Sequence, residues 1–338
     1  MVKGNSTVCV FKARAPLLVV HGGAGSYLAT TTIAQRRERG ERLTRALDAG
    51  FAALEHQGAR AGVLEAIGAL ELDPAFNAGV GGRLQADGVA RLSASVMDGV
   101  RLRIGAVYNA EQVAQPSRLA AALVERGDRN LDTLGAAELR EELGFEPTDV
   151  RTSANIARWE ALLAGVDVLD RDSAIGDAGG DAVKEAVTQG VVVPEEFLPP
   201  EGQRHGTVGA VALDVDGQLW AATSTGGRGH ERVGRISDSP TPAGNYACEV
   251  VALSATGFGE QILDLNLCGR IATRMIDGMT LSEALHRTWA EVERRGALLG
   301  VIGVGQDGHF GYAHSTEACG VAWRSGDGSS GLDRHSRA

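Results

Sequence analysis

The stretch RHGTVGAVALDVDGQLWAATSTGG, residues 204–227, places two short apolar runs on either side of a turn. Its pattern predicts a strand over residues 208–213 and a return strand over residues 219–222, which together form a β-hairpin. Thr207 and Thr225 then lie at the same end of that hairpin, next to a glycine-rich turn. A hydroxyl in such a position can serve as a nucleophile, but threonine also favours strands for structural reasons alone. Both interpretations stay open at this point.

The composition of the 338-residue chain favours a large core with many tight turns. The chain holds 46 glycines against 9 prolines, and many glycines stand in pairs, which is typical of turns and of backbone packed closely against a neighbour. The formal net charge is −10, without a long basic run, so nucleic acid is not expected as a partner.

The redox and targeting signals predict a cytoplasmic protein. The four cysteines are widely spaced and form no CxxC pair, which fits reduced thiols better than disulfides or a zinc site. The first ten residues, MVKGNSTVCV, lack an apolar core of the length that export requires. We expect no membrane-spanning segment.

Apolar periodicity predicts strands towards both ends of the chain and helices between them. Residues 16–25 are expected to form a buried strand that ends in a glycine loop, and residues 301–323 a terminal hairpin. The expected helices lie at residues 32–57, 63–72, 116–126, 152–164, 260–276 and 282–294. This order favours one layered α/β core over two independent domains.

An acidic segment at residues 169–204, which also contains glycine and proline, interrupts this pattern and is expected to be a mobile linker. It ends directly before Gly206 and Thr207. Cleavage between these two residues would give Thr207 an α-amine with a pKa of roughly 7.7–8.0, within reach of its own hydroxyl. A loose segment before the cut would let the new chain end move away.

Seven short motifs follow one another along the chain: HGGAG (21–25), FNAGVG (76–81), ASVMDG (94–99), GTVGAVALD (206–214), ATSTGG (222–227), GRISDSP (234–240) and SATGFGE (254–260). Together they resemble the isoaspartyl peptidase/L-asparaginase family of Ntn-hydrolases, also called plant-type or type III asparaginases. The resemblance runs from about Leu17 to Trp323, nearly the whole chain. Seven motifs in order are far more specific than any one of them.

The resemblance implies an α/β fold, a four-layer αββα sandwich made as an inactive precursor that cleaves itself. The cut would fall between Gly206 and Thr207. Residues 1–206, including the linker, would form the α subunit and residues 207–338 the β subunit, together one αββα domain. Two cleaved precursors would assemble into an (αβ)2 heterotetramer.

The resemblance also assigns roles around the cut. Thr207 would be the nucleophile, and Thr225 the second threonine whose hydroxyl bonds and tunes the first. Thr256 and the amide of Gly257 would form the oxyanion hole. Asn77 would help to arrange the precursor and the site. From the residues alone, Thr225 also fits a cross-strand structural pair, the SATGFGE motif a capped helix start, and Asn77 a turn.

The motif GRISDSP supplies groups that could hold a substrate. Arg235 lies three residues before Asp238, a spacing that alone also fits a local surface ion pair. The resemblance implies that the two bind the α-carboxylate and α-amine of an aspartyl group, with Gly259 in the same substrate-binding site. The planar fork of arginine suits a carboxylate. This chemistry requires no cofactor.

The segment LELDPAFNAGV, residues 70–80, resembles a loop whose backbone carbonyls bind a structural sodium ion in bacterial and plant relatives. The matching positions are Leu70, Glu71, Asp73, Phe76, Ala78 and Val80. His21 has no partner at metal-ligand spacing in the sequence, so we expect it to pack or to hydrogen-bond within its loop.

Four positions depart from the family pattern. Arg91 and Ser93 stand in a segment where relatives usually carry acidic residues. Phe258 interrupts a common Gly-Thr-Gly-Glu sequence, and Asp264 replaces an arginine found in many relatives. None belongs to the expected nucleophile set, so these changes bear on substrate preference rather than on reaction type.

The expected substrates are small molecules, namely β-aspartyl (isoaspartyl) dipeptides and L-asparagine. The alternative is the N4-(β-N-acetylglucosaminyl)-L-asparaginase of the sister branch, whose precursors tend to have His-Asp-Thr at the cut. His205 favours that branch, whereas Gly206 and the HGGAG motif favour the asparaginases. A non-catalytic nucleotide-binding module, a different class of protein, is disfavoured because no GxxxxGK[ST] motif occurs.

Overall fold

The computed structural model describes residues 6–25, 32–164 and 206–333. In chain order, the strands β1 to β13 are Thr7–Lys12, Leu17–Gly25, Leu92–Asp98, Arg103–Ala110, Asn130–Leu131, Val208–Leu213, Leu219–Thr225, Asn245–Ala247, Val251–Gly257, Leu299–Gly305, His309–His314, Ala318–Ser325 and Ser330–Asp333. The helices α1 to α8 are Ile33–Gln57, Ala59–Leu72, Pro116–Leu123, Thr133–Glu142, Ser153–Leu163, Gly259–Leu265, Leu267–Ile276 and Leu281–Arg295. The linker predicted at residues 169–204 lies outside the described residues.

The described strands form two sheets. The larger has the order β13-β12-β2-β6-β7-β3-β4-β5, and the smaller the order β1-β11-β10-β9-β8. The predicted hairpin is present: β6 and β7 pair antiparallel, from Val208 opposite Ser224 to Leu213 opposite Leu219. In the larger sheet this hairpin lies between β2 and β3.

Helices cover the outer face of each sheet. Helices α1, α2 and α3 pack on the larger sheet, whereas α7 and α8 pack on the smaller one. Strands β2, β6 and β7 face β9 and β10 across the interior. Three apolar clusters fill the spaces between these layers, one under each set of helices and one between the sheets. The predicted α/β class and the four-layer αββα sandwich are thereby confirmed.

Local sequence explains where several helices begin and end. Thr32 and Gln35 form a capping box at the start of α1, which begins one residue after the predicted bound. Thr280 and Glu283 form the same box at the start of α8, and Gly296 ends that helix with φ = 63°, a left-handed conformation that glycine adopts without strain. Among the described residues, no helix has the length and apolarity needed to cross a bilayer.

Several predicted bounds shift by a few residues, and two of the predicted elements were wrong in more than their bounds. The single helix expected at residues 260–276 is two helices. Asn266 takes a left-handed conformation with φ = 46°, which ends α6 and separates it from α7. The terminal hairpin expected at residues 301–323 ends earlier. Strands β10 and β11 form a hairpin in the smaller sheet, but β12 then pairs with β2 in the larger one.

A chain of buried polar side chains joins the two sheets. His21 Nε2 lies 2.9 Å from Ser254 Oγ, which is 2.6 Å from Thr223 Oγ1. Thr223 Oγ1 in turn donates to Asn245 Oδ1 at 3.0 Å. Burial lowers the pKa of His21 to about 3, with the backbone of Thr207 acting in the opposite direction, so the ring is neutral at working pH.

Gly209 in β6 leaves the space for this chain. A Cβ built at residue 209 would overlap both Ser254 Oγ and His21 Nε2. By contrast, a Cβ at Gly320 in β12 would make an ordinary contact of 3.7 Å with Leu43 Cδ2. The two glycines therefore differ in what a single methyl group would displace.

We predict that Gly209→Ala destabilises the protein by about 1–3 kcal/mol, because the added methyl group forces the His21–Ser254 contact apart. Urea unfolding of an uncleaved Thr207→Ala chain measures this free energy. Gly320→Ala is the matched control and should change it by less than about 0.5 kcal/mol. Equal losses of unfolding free energy in the two variants would show that the His21–Ser254 contact does not contribute specifically to stability.

Candidate active site

The hairpin register places the two predicted threonines side by side. Because Val208 pairs with Ser224, Thr207 and Thr225 are the next residues on the two strands, at the end of the hairpin. Both are buried. Thr225 Oγ1 accepts a hydrogen bond from the amide of Gly227 at 3.3 Å, so the turn after β7 also fixes its side chain.

Thr256 approaches Thr207 from the other sheet. Its hydroxyl donates to the carbonyl oxygen of Thr207 at 3.4 Å and accepts from the amide of Ala24, in the HGGAG motif, at 3.1 Å. Gly257 follows at the end of β9 with φ = 126°, a conformation that other residues rarely adopt. Three sequence motifs from two sheets thus meet beside the Gly206–Thr207 bond.

Asn77 braces the turn that follows Thr225. Its side-chain amide donates to the carbonyl of Gly227 at 2.5 Å, and its backbone carbonyl accepts from the amide of Gly226 at 2.9 Å. Its side-chain oxygen accepts from the amide of Arg83 at 3.1 Å. The contacts of Asn77 therefore act on the strand end that carries Thr225.

Arg235 forms its hydrogen bonds with Glu260 and not with Asp238, three residues further along the chain. Its Nε and Nη2 donate to the two carboxylate oxygens of Glu260 at 3.0 and 2.9 Å. Because that fork occupies one edge of the guanidinium, donors remain on the edge formed by the two Nη atoms. Glu260 is also 3.7 Å from Arg228.

Asp238 is a buried carboxyl group with unused hydrogen-bonding capacity. Only 2% of the residue is exposed, and among the described residues Oδ2 has no hydrogen-bond partner. Burial raises the pKa of Asp238 to about 7, with the nearby Arg235 acting in the opposite direction. A Cβ built at Gly259 would lie 2.8 Å from both Arg235 Nη2 and Asp238 Oδ1, so the tips of these two side chains converge beside Gly259 and a larger residue there would displace them.

Two further side chains lie at the site: Ser239, which the sequence did not single out, and Glu71, for which the sequence predicted only a backbone role in the sodium loop. Ser239 Oγ lies 3.4 Å from Thr207 Oγ1. The Glu71 carboxylate is fully buried and accepts hydrogen bonds from Ser224 Oγ at 2.7 Å and from Ser117 Oγ at 2.6 Å, which ties the end of α2 to the residue before Thr225. The only sequence signal for Ser239 is its place directly after Asp238 in GRISDSP.

The loop predicted to bind sodium folds tightly on itself. The carbonyls of Asp73 and Ala78 accept hydrogen bonds from the amides of Phe76 and Gly81 at 3.1 and 3.0 Å. A Cβ at Gly79 would overlap the carbonyl oxygen of Glu71, so the chain passes close over that atom. Each carbonyl oxygen keeps a second lone pair, and the loop therefore offers oxygen ligands of the kind that a hard cation takes.

The departures from the family pattern lie at different distances from the site. Phe258 stands beneath the guanidinium of Arg228, which is 5.3 Å from the ring centroid. Ser93 is opposite Thr225 in the sheet. Arg91 forms ion pairs with side chains outside the nucleophile set, and Asp264 is exposed on α6. Phe258 and Ser93 are thus the departures in contact with the site.

This four-layer sandwich, with a threonine at the mouth of its central hairpin and further hydroxyl groups close to it, is typical of hydrolases of the N-terminal-nucleophile type. Residues 14–332 match the family model described as asparaginase, and the chain belongs to that family.

Several curated relatives match over most of their length. The isoaspartyl peptidase/L-asparaginase of Nostoc sp. is 35% identical over 314 residues, which cover 92% of each chain. The isoaspartyl peptidase of Escherichia coli is 34% identical, over 91% of this chain and 92% of the relative. The isoaspartyl peptidase/L-asparaginase of Homo sapiens is 34% identical over 80% of each chain.

The buried Asp238 generates a prediction for stability against pH. The folded pKa of about 7 lies above the unfolded value of roughly 3.9, so the folded chain binds the proton more tightly. The stabilising contribution of the tighter proton binding by Asp238 is therefore fully present below about pH 4. It is lost as the pH rises towards and past 7. Asp238→Asn should remove this loss.

We predict that Asp238→Asn gains stability relative to its parent as the pH rises from about 4 to 8. Urea unfolding of Thr207→Ala and of Thr207→Ala/Asp238→Asn across that range measures the difference. The same substitution at the exposed Asp264 should give a much smaller trend. A difference for Asp238→Asn that stays constant with pH would contradict the prediction.

Proposed function

We propose that this protein hydrolyses β-aspartyl bonds, in isoaspartyl dipeptides and in L-asparagine, with Thr207 as the nucleophile. The names of the relatives support this substrate class over the sugar-asparagine linkage. The observation that carries the proposal is the contact between Thr207 Oγ1 and Ser239 Oγ. It joins the nucleophile to the residue directly after Asp238, so the groups for attack and for substrate binding belong to one site.

The first reaction in this proposal is maturation. The Thr207 hydroxyl attacks the carbonyl carbon of Gly206; the C–N bond breaks, an ester bond to Oγ1 forms, and the hydroxyl proton ends on the Thr207 nitrogen. Water then hydrolyses the ester. The products are a carboxylate at Gly206 and a free amine and hydroxyl at Thr207.

Turnover repeats this chemistry on a substrate. The α-amine of Thr207 takes the hydroxyl proton as Oγ1 attacks the side-chain carbonyl, then passes it to the departing ammonia or amino acid. Thr256 and the amide of Gly257 stabilise the oxyanion, and Thr225 orients the nucleophile. Water resolves the β-aspartyl ester and restores the enzyme.

Substrate binding in this proposal uses the buried charges beside the nucleophile. The free edge of the Arg235 guanidinium can take the α-carboxylate through two parallel hydrogen bonds while Glu260 keeps the other edge. Ionised Asp238 can accept from the α-ammonium group. Its unpartnered oxygen supports this role, because a buried carboxylate otherwise lowers stability without compensation.

We predict that Arg235→Lys lowers kcat/KM on β-aspartyl dipeptides by roughly two to three orders of magnitude, because lysine keeps the charge but cannot form two parallel hydrogen bonds. Maturation should persist, since it involves no free substrate carboxylate. Wild-type enzyme should act poorly on a substrate with an amidated α-carboxylate, and the variant should lose little further activity on it.

Arg126→Lys is a matched control, because Arg126 forms a two-bond fork with Glu142 on the surface. It should leave kcat/KM unchanged. Equal wild-type turnover of the amidated and free substrates would refute the role of Arg235. A preference for N-acetylglucosaminyl-asparagine over both β-aspartyl dipeptides and L-asparagine would refute the proposed function and favour the sister branch.

We further propose that the loop at residues 70–80 binds a sodium ion through backbone carbonyls. Its close-packed carbonyl oxygens support this; the proposed ligands are Leu70, Glu71, Asp73, Phe76, Ala78 and Val80. The ion would hold the loop that leads to Asn77 and takes no part in bond breaking. Replacing sodium with choline at constant ionic strength should lower the melting temperature, and an unchanged value would contradict the proposal.

A cytoplasmic location and an (αβ)2 assembly complete the proposal. All four cysteines are free thiols, which supports a reducing compartment. The assembly rests on the family resemblance alone. Light scattering of the matured protein tests it, and a mass equal to one α and one β subunit would contradict it.

A further inference from the structure

The hydroxyl of Ser239 stands at the nucleophile without a role in the scheme above. Ser239 is fully buried, and its Oγ lies 3.4 Å from Thr207 Oγ1. A buried hydroxyl without a partner costs stability, and alanine would fill nearly the same space. The position of this hydroxyl therefore favours an interaction with Thr207 over simple packing.

The backbone around Ser239 is held on both sides. Its carbonyl accepts from Ser95 Oγ in β3 at 2.6 Å, and its amide donates to Ser237 Oγ at 3.4 Å. The carbonyl of the next residue, Pro240, accepts from Tyr108 Oη in β4 at 3.0 Å. Two strands of the larger sheet thus fix the direction from which the Ser239 hydroxyl approaches Thr207.

We propose that Ser239 is a further catalytic residue of the reaction proposed above, and that its hydroxyl binds Thr207 Oγ1 and holds it in the orientation for attack. The inference rests on the proposed function. The contact is long in the resting chain, and hydrogen bonds at catalytic groups commonly shorten when the reacting complex forms.

A serine hydroxyl suits this position because it can both accept and donate a hydrogen bond. Before attack, Thr207 Oγ1 carries a proton and can donate to Ser239. In the ester, Oγ1 has no proton, and Ser239 donates to it instead. When water resolves the ester, Oγ1 is the leaving atom, and this donor stabilises the negative charge that develops there. Ser239 forms no covalent bond and keeps its own proton.

The test removes this hydroxyl alone. Ser239→Ala should slow self-cleavage and lower kcat on L-asparagine, each by about 10- to 100-fold, while KM changes less than threefold because Ser239 touches the nucleophile rather than the substrate. Intact mass spectrometry follows cleavage, and kcat is calculated per cleaved chain. Ser239→Thr, which keeps a hydroxyl, should restore most of both rates, and Ser239→Cys should fall between.

Ser325→Ala is the control, because Ser325 is a buried serine at the end of β12 whose hydroxyl donates a hydrogen bond to Asp327. It should lower stability without changing kcat. Ser239→Ala with wild-type cleavage and kcat, or Thr and Cys variants no better than Ala, would overturn the inference. If Ser239→Ala does not fold, the other two variants decide: Ser239→Thr should cleave itself and turn over faster than Ser239→Cys, and equal rates would overturn the inference.

A wild-type protein that cleaves itself but hydrolyses no β-aspartyl substrate would refute the proposed function instead. The cleavage rates of the variants would still test the role of Ser239.

Discussion

The hydrogen bond between His21 and Ser254 joins the two sheets close to Thr207, the proposed nucleophile. Side chains two residues apart on a strand point to the same face. Gly209, over which this bond passes, lies two residues after Thr207, and Ser254 lies two residues before Thr256. The hydrogen bond that fixes Gly209 relative to Ser254 across the interior therefore also fixes Thr207 relative to Thr256. Because the pKa of His21 is about 3, its ring is neutral at working pH, and the His21–Ser254 hydrogen bond does not change with pH in that range.

The buried charges proposed to bind substrate are expected to lower the free energy of unfolding in the absence of substrate. A carboxyl group at Asp238 is buried with an oxygen that lacks a partner among the described residues, and Arg235 is held in place by Glu260. Such charges are costly to bury, and they persist where the surrounding structure constrains them and a ligand needs them. Gly259 leaves no side chain between them. The site is thus organised before substrate arrives, at the expense of the stability of the empty chain.

Local patterns in the sequence predicted local structure well. The hairpin of β6 and β7 and helix α1 follow from strand alternation and helical periodicity. The break at Asn266 was missed because one residue in a left-handed conformation leaves the apolar pattern intact. The departure of β12 to the larger sheet and the pairing of Arg235 with Glu260 depend on residues far apart in the chain, and spacing along one strand or loop carries no information about them. The motifs indicated Thr207 as the proposed nucleophile, whereas nothing in the sequence singled out Ser239, which was identified by its distance to Thr207.

We propose that Thr207 becomes an N-terminal nucleophile when the chain cuts itself before this residue. Intact mass spectrometry of purified protein during incubation, without added protease, tests this most directly. We predict that the mass of the 338-residue chain gives way to two masses, those of residues 1–206 and 207–338, and that Thr207→Ala keeps the single mass. A wild-type protein that remains one chain and still hydrolyses β-aspartyl substrates would show that Thr207 does not act as an N-terminal nucleophile.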